Sequence, residues 1–174
     1  MIQPRTYDAR EVANKILQLA NESSIPLTSM QLLKLVYLAH GWSLVLFDKQ
    51  IVSNNPQAWQ YGPVYPHVYK SVKKSGSSPI KELIHDKQTG EVFFPNDISQ
   101  NQLNFLMSIL NSYGKMRAFD LSSITHREGT PWHKTFHTIG KYQDIPIDFM
   151  REHFFDLAKE RNLDVNVFRK ELTP

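Results

Sequence analysis

Thr28 followed three residues later by Gln31 is a capping box, and the segment it opens restricts the fold more than any other. Leu32, Leu33, Leu35, Val36, Leu38 and Ala39 leave that helix almost no polar face. A helix apolar on nearly every side has to be surrounded by others, so the segment predicts a buried central helix inside a mainly α-helical domain. Its most apolar stretch, Met30–Phe47, is broken by Gln31, Lys34, His40 and Ser43. It is too short and too polar to cross a bilayer, so no membrane partner is expected.

The flanking elements follow from local signals. Asp8 with Glu11 is a second capping box, and Val12, Ile16, Leu17 and Ala20 continue at helical spacing, predicting a helix over residues 9–21. Pro66 suits the first residue of a helix running to Ser75, with Gly76 as its stop. Leu83-Ile84 and Val92-Phe93-Phe94 flank Gln88-Thr89-Gly90 and predict a hairpin over residues 81–94. Ser99 with Gln102 opens another helix, closed by Gly114. Leu121 and Ile124 suggest a short one. Thr130-Pro131 caps a further helix before Gly140, and Phe149, Met150, His153, Phe154, Leu157 and Ala158 mark a last one over residues 147–161. The expected architecture is a single compact helical domain over residues 1–174, with about six to seven helices and a small β-hairpin. Its core covers about residues 8–160 and a flexible tail covers 163–174.

With 174 residues, 41% of them hydrophobic, the chain can bury a core without a metal or disulfide staple. It has no cysteine, which removes disulfides, thiolate nucleophiles, iron–sulfur clusters and Cys-ligated zinc, and fits a reducing cytoplasm. Met1–Arg5 is not a basic segment followed by a long apolar run, so no export is expected. The net charge of +3 is concentrated in residues 64–141, which hold ten Lys and Arg against six Asp and Glu. Lys70, Lys73, Lys74 and Lys81 stand there with Tyr65, His67 and Tyr69, a pattern that can contact phosphates and stack bases. The i, i+4 spacing of the two tyrosines equally fits an inward face with the lysines solvated outside, and nucleic acid is not the expected partner.

Catalytic patterns are sparse. His133 and His137 have the spacing of a two-His metal site, but the metalloprotease form needs Glu after the first His and Lys134 stands there. No metal or other cofactor is predicted. There is no G-x-S-x-G elbow and no phosphate-cradling glycine loop. An enzymatic alternative would centre on His40, His126 and Glu128.

Three segments are not generic. They are Gln31–Gly41, containing Lys34, Tyr37 and His40; Ala58–Pro66, containing Trp59, Tyr61, Gly62, Pro63 and Pro66; and Thr125–Trp132, containing His126, Glu128, Pro131 and Trp132. In order and wording they resemble the SocA-like antitoxin domain, also called the Panacea domain, of bacterial and phage-associated proteins of the GepA type. The resemblance extends over roughly residues 8–160.

It implies a mainly α-helical antitoxin that neutralises a cognate protein toxin, encoded beside it, by direct contact. It also implies a common core coupled to variable partner-binding regions, so these twelve motif residues are expected to form the shared core. One SocA-type member is described as an adaptor that delivers its toxin to the ClpXP protease, and the sequence does not select between sequestration and delivery. Partner contacts are expected at Tyr65, Tyr69, Phe93, Phe94, Tyr113 and Arg117, with Tyr7 and Phe119 further candidates, and partner-specific variation at residues 81–94 and 163–174. An interface needs aromatic and Arg anchors but no nucleophile or phosphate loop, so the chain is expected not to be an enzyme.

Overall fold

In the computed structural model, residues 5–166 and 169 are described. Among them the chain forms seven α-helices and one two-stranded antiparallel sheet: α1 (Ala9–Glu22), α2 (Ser29–Leu46), β1 (Gln57–Trp59), β2 (Gly62–Val64), α3 (Pro66–Val72), α4 (Gln100–Tyr113), α5 (Ala118–His126), α6 (Pro131–Lys134) and α7 (Ile147–Glu160). The mainly α-helical class is as expected. Of the tail expected at 163–174, the described residues cover only 163–166 and 169.

The capping boxes at Asp8, Thr28 and Ser99 all form, each with the side chain of the third helical residue bonded back to the cap. They satisfy the first free N–H groups of α1, α2 and α4 and so fix where those helices begin. α2 is the axis of the fold, touching α1, α3, α4, α5, α7 and β2. Fifteen of its residues, from Ser29 to Val45, are buried, as its apolar circumference requires. α1 packs against it, and Val12, Ile16 and Leu19 lie on its buried face. α7 crosses it where Gly41 lacks a side chain, and the Phe154 ring fills that space so closely that a Cβ on Gly41 would stand 2.0 Å from it.

The hairpin lies elsewhere than expected. Residues 81–94 make only one isolated bridge, His85 to Val92. The two sides of this segment are joined by Phe93 N–H to Ile84 O at 3.1 Å and Asp86 N–H to Glu91 O at 2.8 Å, and Asn14, fully buried on α1, takes the groups that would extend the pairing: its Nδ2 donates to the Ile84 and Phe93 carbonyls at 2.7 and 2.6 Å, and its Oδ1 accepts from Ile84 N–H at 2.7 Å. The real hairpin is β1–β2, pairing Gln57 with Val64, Ala58 with Pro63 and Trp59 with Gly62. Its outer edge continues onto the segment before α7, through Ala58 N–H to Gln143 O at 2.9 Å and Tyr142 N–H to Ala58 O at 2.8 Å. The helix expected from Trp132 to Ile139 is divided into α6 and a π-turn over Thr135–Ile139, ended by Gly140 at φ 143°.

Candidate functional site

The three motifs meet at the β1–β2 hairpin. Alternate carbonyls along it, those of Trp59, Tyr61 and Pro63, each accept a hydrogen bond from a side chain on a different helix. Trp132 Nε1 on α6 donates to Trp59 O at 2.6 Å, Ser122 Oγ on α5 to Tyr61 O at 2.8 Å, and Lys34 Nζ on α2 to Pro63 O at 2.9 Å. A two-stranded hairpin of three-residue strands is marginal alone, and these donors hold it against the helices. Gly62 makes the approach feasible: its φ is +110°, and a Cβ there would stand 2.8 Å from Lys34 Nζ.

Lys34 is wholly buried, and the Pro63 carbonyl is its hydrogen-bond partner. Burial brings its pKa from the ordinary 10.5 to about 7, because the charged form loses hydration without gaining a carboxylate. One turn on, Tyr37 is equally buried, and burial drives its phenol pKa far upward. His40 is buried and held neutral, its pKa lowered to about 4. Gln50 Oε1 accepts from its Nε2 at 3.4 Å, which leaves Nδ1 to accept from the Tyr65 hydroxyl at 2.9 Å. On α5, His126 Nδ1 donates to Ser122 O and the ring stands edge-on to Trp132, centroids 5.2 Å apart. No hydrogen bond or ion pair joins His40, His126 and Glu128 to one another among the described residues, so the structure does not assemble the triad that a hydrolytic site would use.

Of the expected core residues, Lys34, Tyr37, His40, Gly62, Pro63, Pro131 and Trp132 are buried, and Trp59, Pro66 and His126 are partly so. Two are corrected. Tyr61 is 64% exposed, because it occupies the hairpin turn and is held by its carbonyl rather than its ring. Glu128 is exposed in the turn between α5 and α6.

The expected partner contacts also divide. Tyr65 and Tyr113 are buried, and Tyr113 accepts hydrogen bonds from Trp42 Nε1 and Arg161 Nη1, both at 3.0 Å, so neither tyrosine offers its ring to a partner. Tyr7 is likewise buried, its hydroxyl bonded to Gln102. Tyr69 is half-buried edge-on to Trp59, centroids 5.1 Å apart. Phe93 and Phe94 are half-buried beneath Arg10 and Lys15, 4.0 and 4.2 Å from the ring centroids. Arg117 and Phe119 are exposed, with Arg117 paired to Asp120 at 2.8 Å. Beside them the sequence reading missed Ser122 and Tyr142. Ser122 lies one helical turn before His126 on the same face, a spacing that could have marked it. Tyr142 is 58% exposed and stands edge-on to Trp59, centroids 5.6 Å apart, having arrived there from a distant segment that no local pattern signals.

The His133 and His137 rings do share a face, centroids 4.5 Å apart, and among the described residues no group of three or more His, Asp or Glu gathers where a metal ion could be held. No helix described is long and apolar enough to cross a membrane. Lys70, Lys73 and Lys74 are exposed, while Tyr65 behind them is buried.

The family described as "Antitoxin SocA-like, Panacea domain" matches residues 32–133, an interval that contains all of the hairpin and its three donors. "Antitoxin SocA" of Caulobacter vibrioides (strain NA1000 / CB15N) is 33% identical over 132 residues, covering 74% of this chain and 70% of that protein. No solved structure matches the chain. The matched interval thus includes the residues that lock the hairpin to the helices, and the chain belongs to the SocA-like antitoxin family with a Panacea domain.

Proposed function

We propose that the chain, acting as one cytoplasmic domain, is an antitoxin that neutralises a cognate protein toxin, encoded by an adjacent gene, by direct stoichiometric binding. The observation that carries this reading is what two motif residues, Lys34 and Trp132, are spent on together with Ser122, which lies just before the third motif. Lys34, Ser122 and Trp132 hold the backbone of a short hairpin, and what the hairpin turns outward is Tyr61, flanked by the partly exposed Trp59 and by Tyr142. Tyr and Trp on a rigid support present large contact area at little conformational cost, which suits recognition of a protein. The polar side chains behind them are consumed in holding the support, which speaks for binding rather than catalysis.

The test is co-expression. The neighbouring gene product should arrest growth alone, the chain should relieve the arrest, and the two should purify as a complex of fixed stoichiometry. Relief that persists in a host lacking ClpXP distinguishes sequestration from delivery to that protease. A neighbour that is harmless, or an arrest the chain does not relieve, contradicts the proposal.

A further inference from the structure

Among the described residues six large apolar side chains are exposed: Tyr61, Val92, Phe119, Ile139, Tyr142 and Phe155. Four of them belong to the hairpin and the elements that touch it. Tyr61 occupies its turn, and Tyr142 stands on the segment bonded to β1. Ile139 ends the π-turn, which touches β1, and Phe119 lies one helical turn before Ser122, whose hydroxyl holds the Tyr61 carbonyl. Exposed apolar groups concentrated on a rigid support mark a docking surface for a macromolecule.

The charges on these elements decide which kind. β1, β2 and α3 carry no carboxylate. Lys73 N–H bonds to the carbonyl of Tyr69, so Lys73 stands one helical turn along from the ring that packs on Trp59, and Lys70 adjoins that ring in sequence. Lys141 directly precedes Tyr142, its Nζ 5.4 Å from the Phe136 ring centroid. All three lysines are exposed, and none forms an ion pair among the described residues. From α5 to the segment bonded to β1 there are three carboxylates. Asp120 is paired with Arg117 at 2.8 Å, Glu128 adjoins Arg127 in sequence, and Asp144 accepts from Gln57 Nε2 at 3.3 Å. The balance is therefore cationic, three lysines against Asp144. Aromatic rings attract cations, but these lysines repel a basic partner. A single nucleic-acid strand needs free ring faces for successive bases and several neutralised phosphates, whereas Trp59 meets Tyr69 and Tyr142 edge-on, at 66° and 73°.

We propose that this surface docks an acidic face of the toxin, the exposed rings burying apolar side chains at its centre and Lys70, Lys73 and Lys141 meeting carboxylates around them. An aromatic centre inside a polar rim is the arrangement that gives affinity, and the charges of the rim set partner choice and association rate. The proposal rests on the antitoxin reading for the identity of the partner, while the preference for an acidic apolar segment is a property of this chain alone.

The experiment has two arms. In the first, the full chain is titrated by NMR with the peptide acetyl-Glu-Glu-Leu-Phe-Asp-Glu amide, with Gln and Asn replacing Glu and Asp in the uncharged control. The expected result is a saturable shift of the Trp59 Nε1–H and Tyr142 ring signals with the acidic peptide only, weakened by added salt and lost in the folded Lys73→Glu/Lys141→Glu variant. No saturable response, an equal response to the control peptide, or an unchanged response in that variant overturns the surface. Tight binding of a fluorescein-labelled oligothymidylate in place of the peptide overturns it in favour of nucleic acid. In the second arm, association with the purified neighbouring gene product should be slowed about 10-fold or more at low salt by Lys73→Glu/Lys141→Glu, and not by Lys49→Glu/Lys87→Glu, which makes the same change of charge on other segments. Equal slowing by the two variants, or faster association of the first, overturns the acidic partner. If the wild-type chain does not bind that product at all, the antitoxin reading fails, and the peptide arm still decides the chemistry of the surface.

Discussion

The side-chain nitrogen of Lys34, with no exposed surface, donates to the carbonyl of Pro63 at 2.9 Å and joins the central helix to the hairpin. The folded chain takes up the Lys34 proton only as pH falls to about 7, whereas the unfolded chain binds it below about 10.5. Between those values the unfolded state holds more protons, so stability rises with pH across that window and the gain is lost as pH falls back toward 7. The full difference is worth about 5 kcal/mol. Chemical denaturation from about pH 7 to 9.5 should show the rise, and Lys34→Met should flatten it. Above about pH 10 the buried Tyr37 and Tyr65, whose pKa values are raised, reverse the trend as the unfolded chain ionises first. A wild-type slope unchanged in Lys34→Met would contradict the assignment.

Gly41 and Phe154 make a second prediction. A Cβ on Gly41 would meet three atoms of the Phe154 ring at 2.0 to 2.4 Å, and that ring is wedged between Tyr37 and Trp42, centroids 5.9 and 5.4 Å away. Its retreat is blocked on both of those sides, so Gly41→Ala should destabilise the protein by about 3 kcal/mol through overpacking. Adding Phe154→Leu should restore part of the loss. Thermal melts of the single and double variants check both expectations.

Trp132 and Trp59 should differ in cost despite forming one hydrogen-bonded pair. Trp132 is 6% exposed and stacks on Phe136 at 4.6 Å, whereas Trp59 is only half-buried. Trp132→Ala should cost roughly 3–5 kcal/mol and Trp59→Ala less. Trp132→Phe, which keeps the packing but leaves the Trp59 carbonyl without its donor, should cost about 1–2 kcal/mol. Equal losses for the two alanine variants would contradict this division.

Much of the helical frame was legible because its signals are local. A capping box spans four residues, so Asp8, Thr28 and Ser99 could each be read in isolation, and the apolar run from Leu32 already implied a surrounded helix. The hairpin was not legible for the opposite reason. β1–β2 is stable because Lys34, Ser122 and Trp132 arrive from three helices, while the hairpin at 81–94 stops at a single bridge because Asn14, seventy residues from Ile84, takes the Ile84 N–H and the Phe93 carbonyl. The motif residues were identified as a group, but whether a ring faces in or out depends on the backbone bonds. Tyr61 is held by its carbonyl and turned outward, and Tyr65 four residues later is bonded through its hydroxyl and buried.

That contrast predicts a separation of stability from function. Tyr61→Ala removes an exposed ring and should change stability by no more than about 0.5 kcal/mol, while weakening toxin neutralisation. Ser122→Ala leaves the Tyr61 carbonyl without its donor and should lower stability by about 1 kcal/mol. Neutralisation intact in a folded Tyr61→Ala variant would move the contact surface elsewhere.

The central claim is neutralisation by binding, and a titration of the neighbouring gene product with the purified chain tests it most directly. The account predicts that inhibition by the toxin falls linearly to zero at a fixed molar ratio, in the absence of any protease, with a complex of that ratio on size-exclusion chromatography. Relief at catalytic amounts of the chain, or relief that requires a protease, would contradict it.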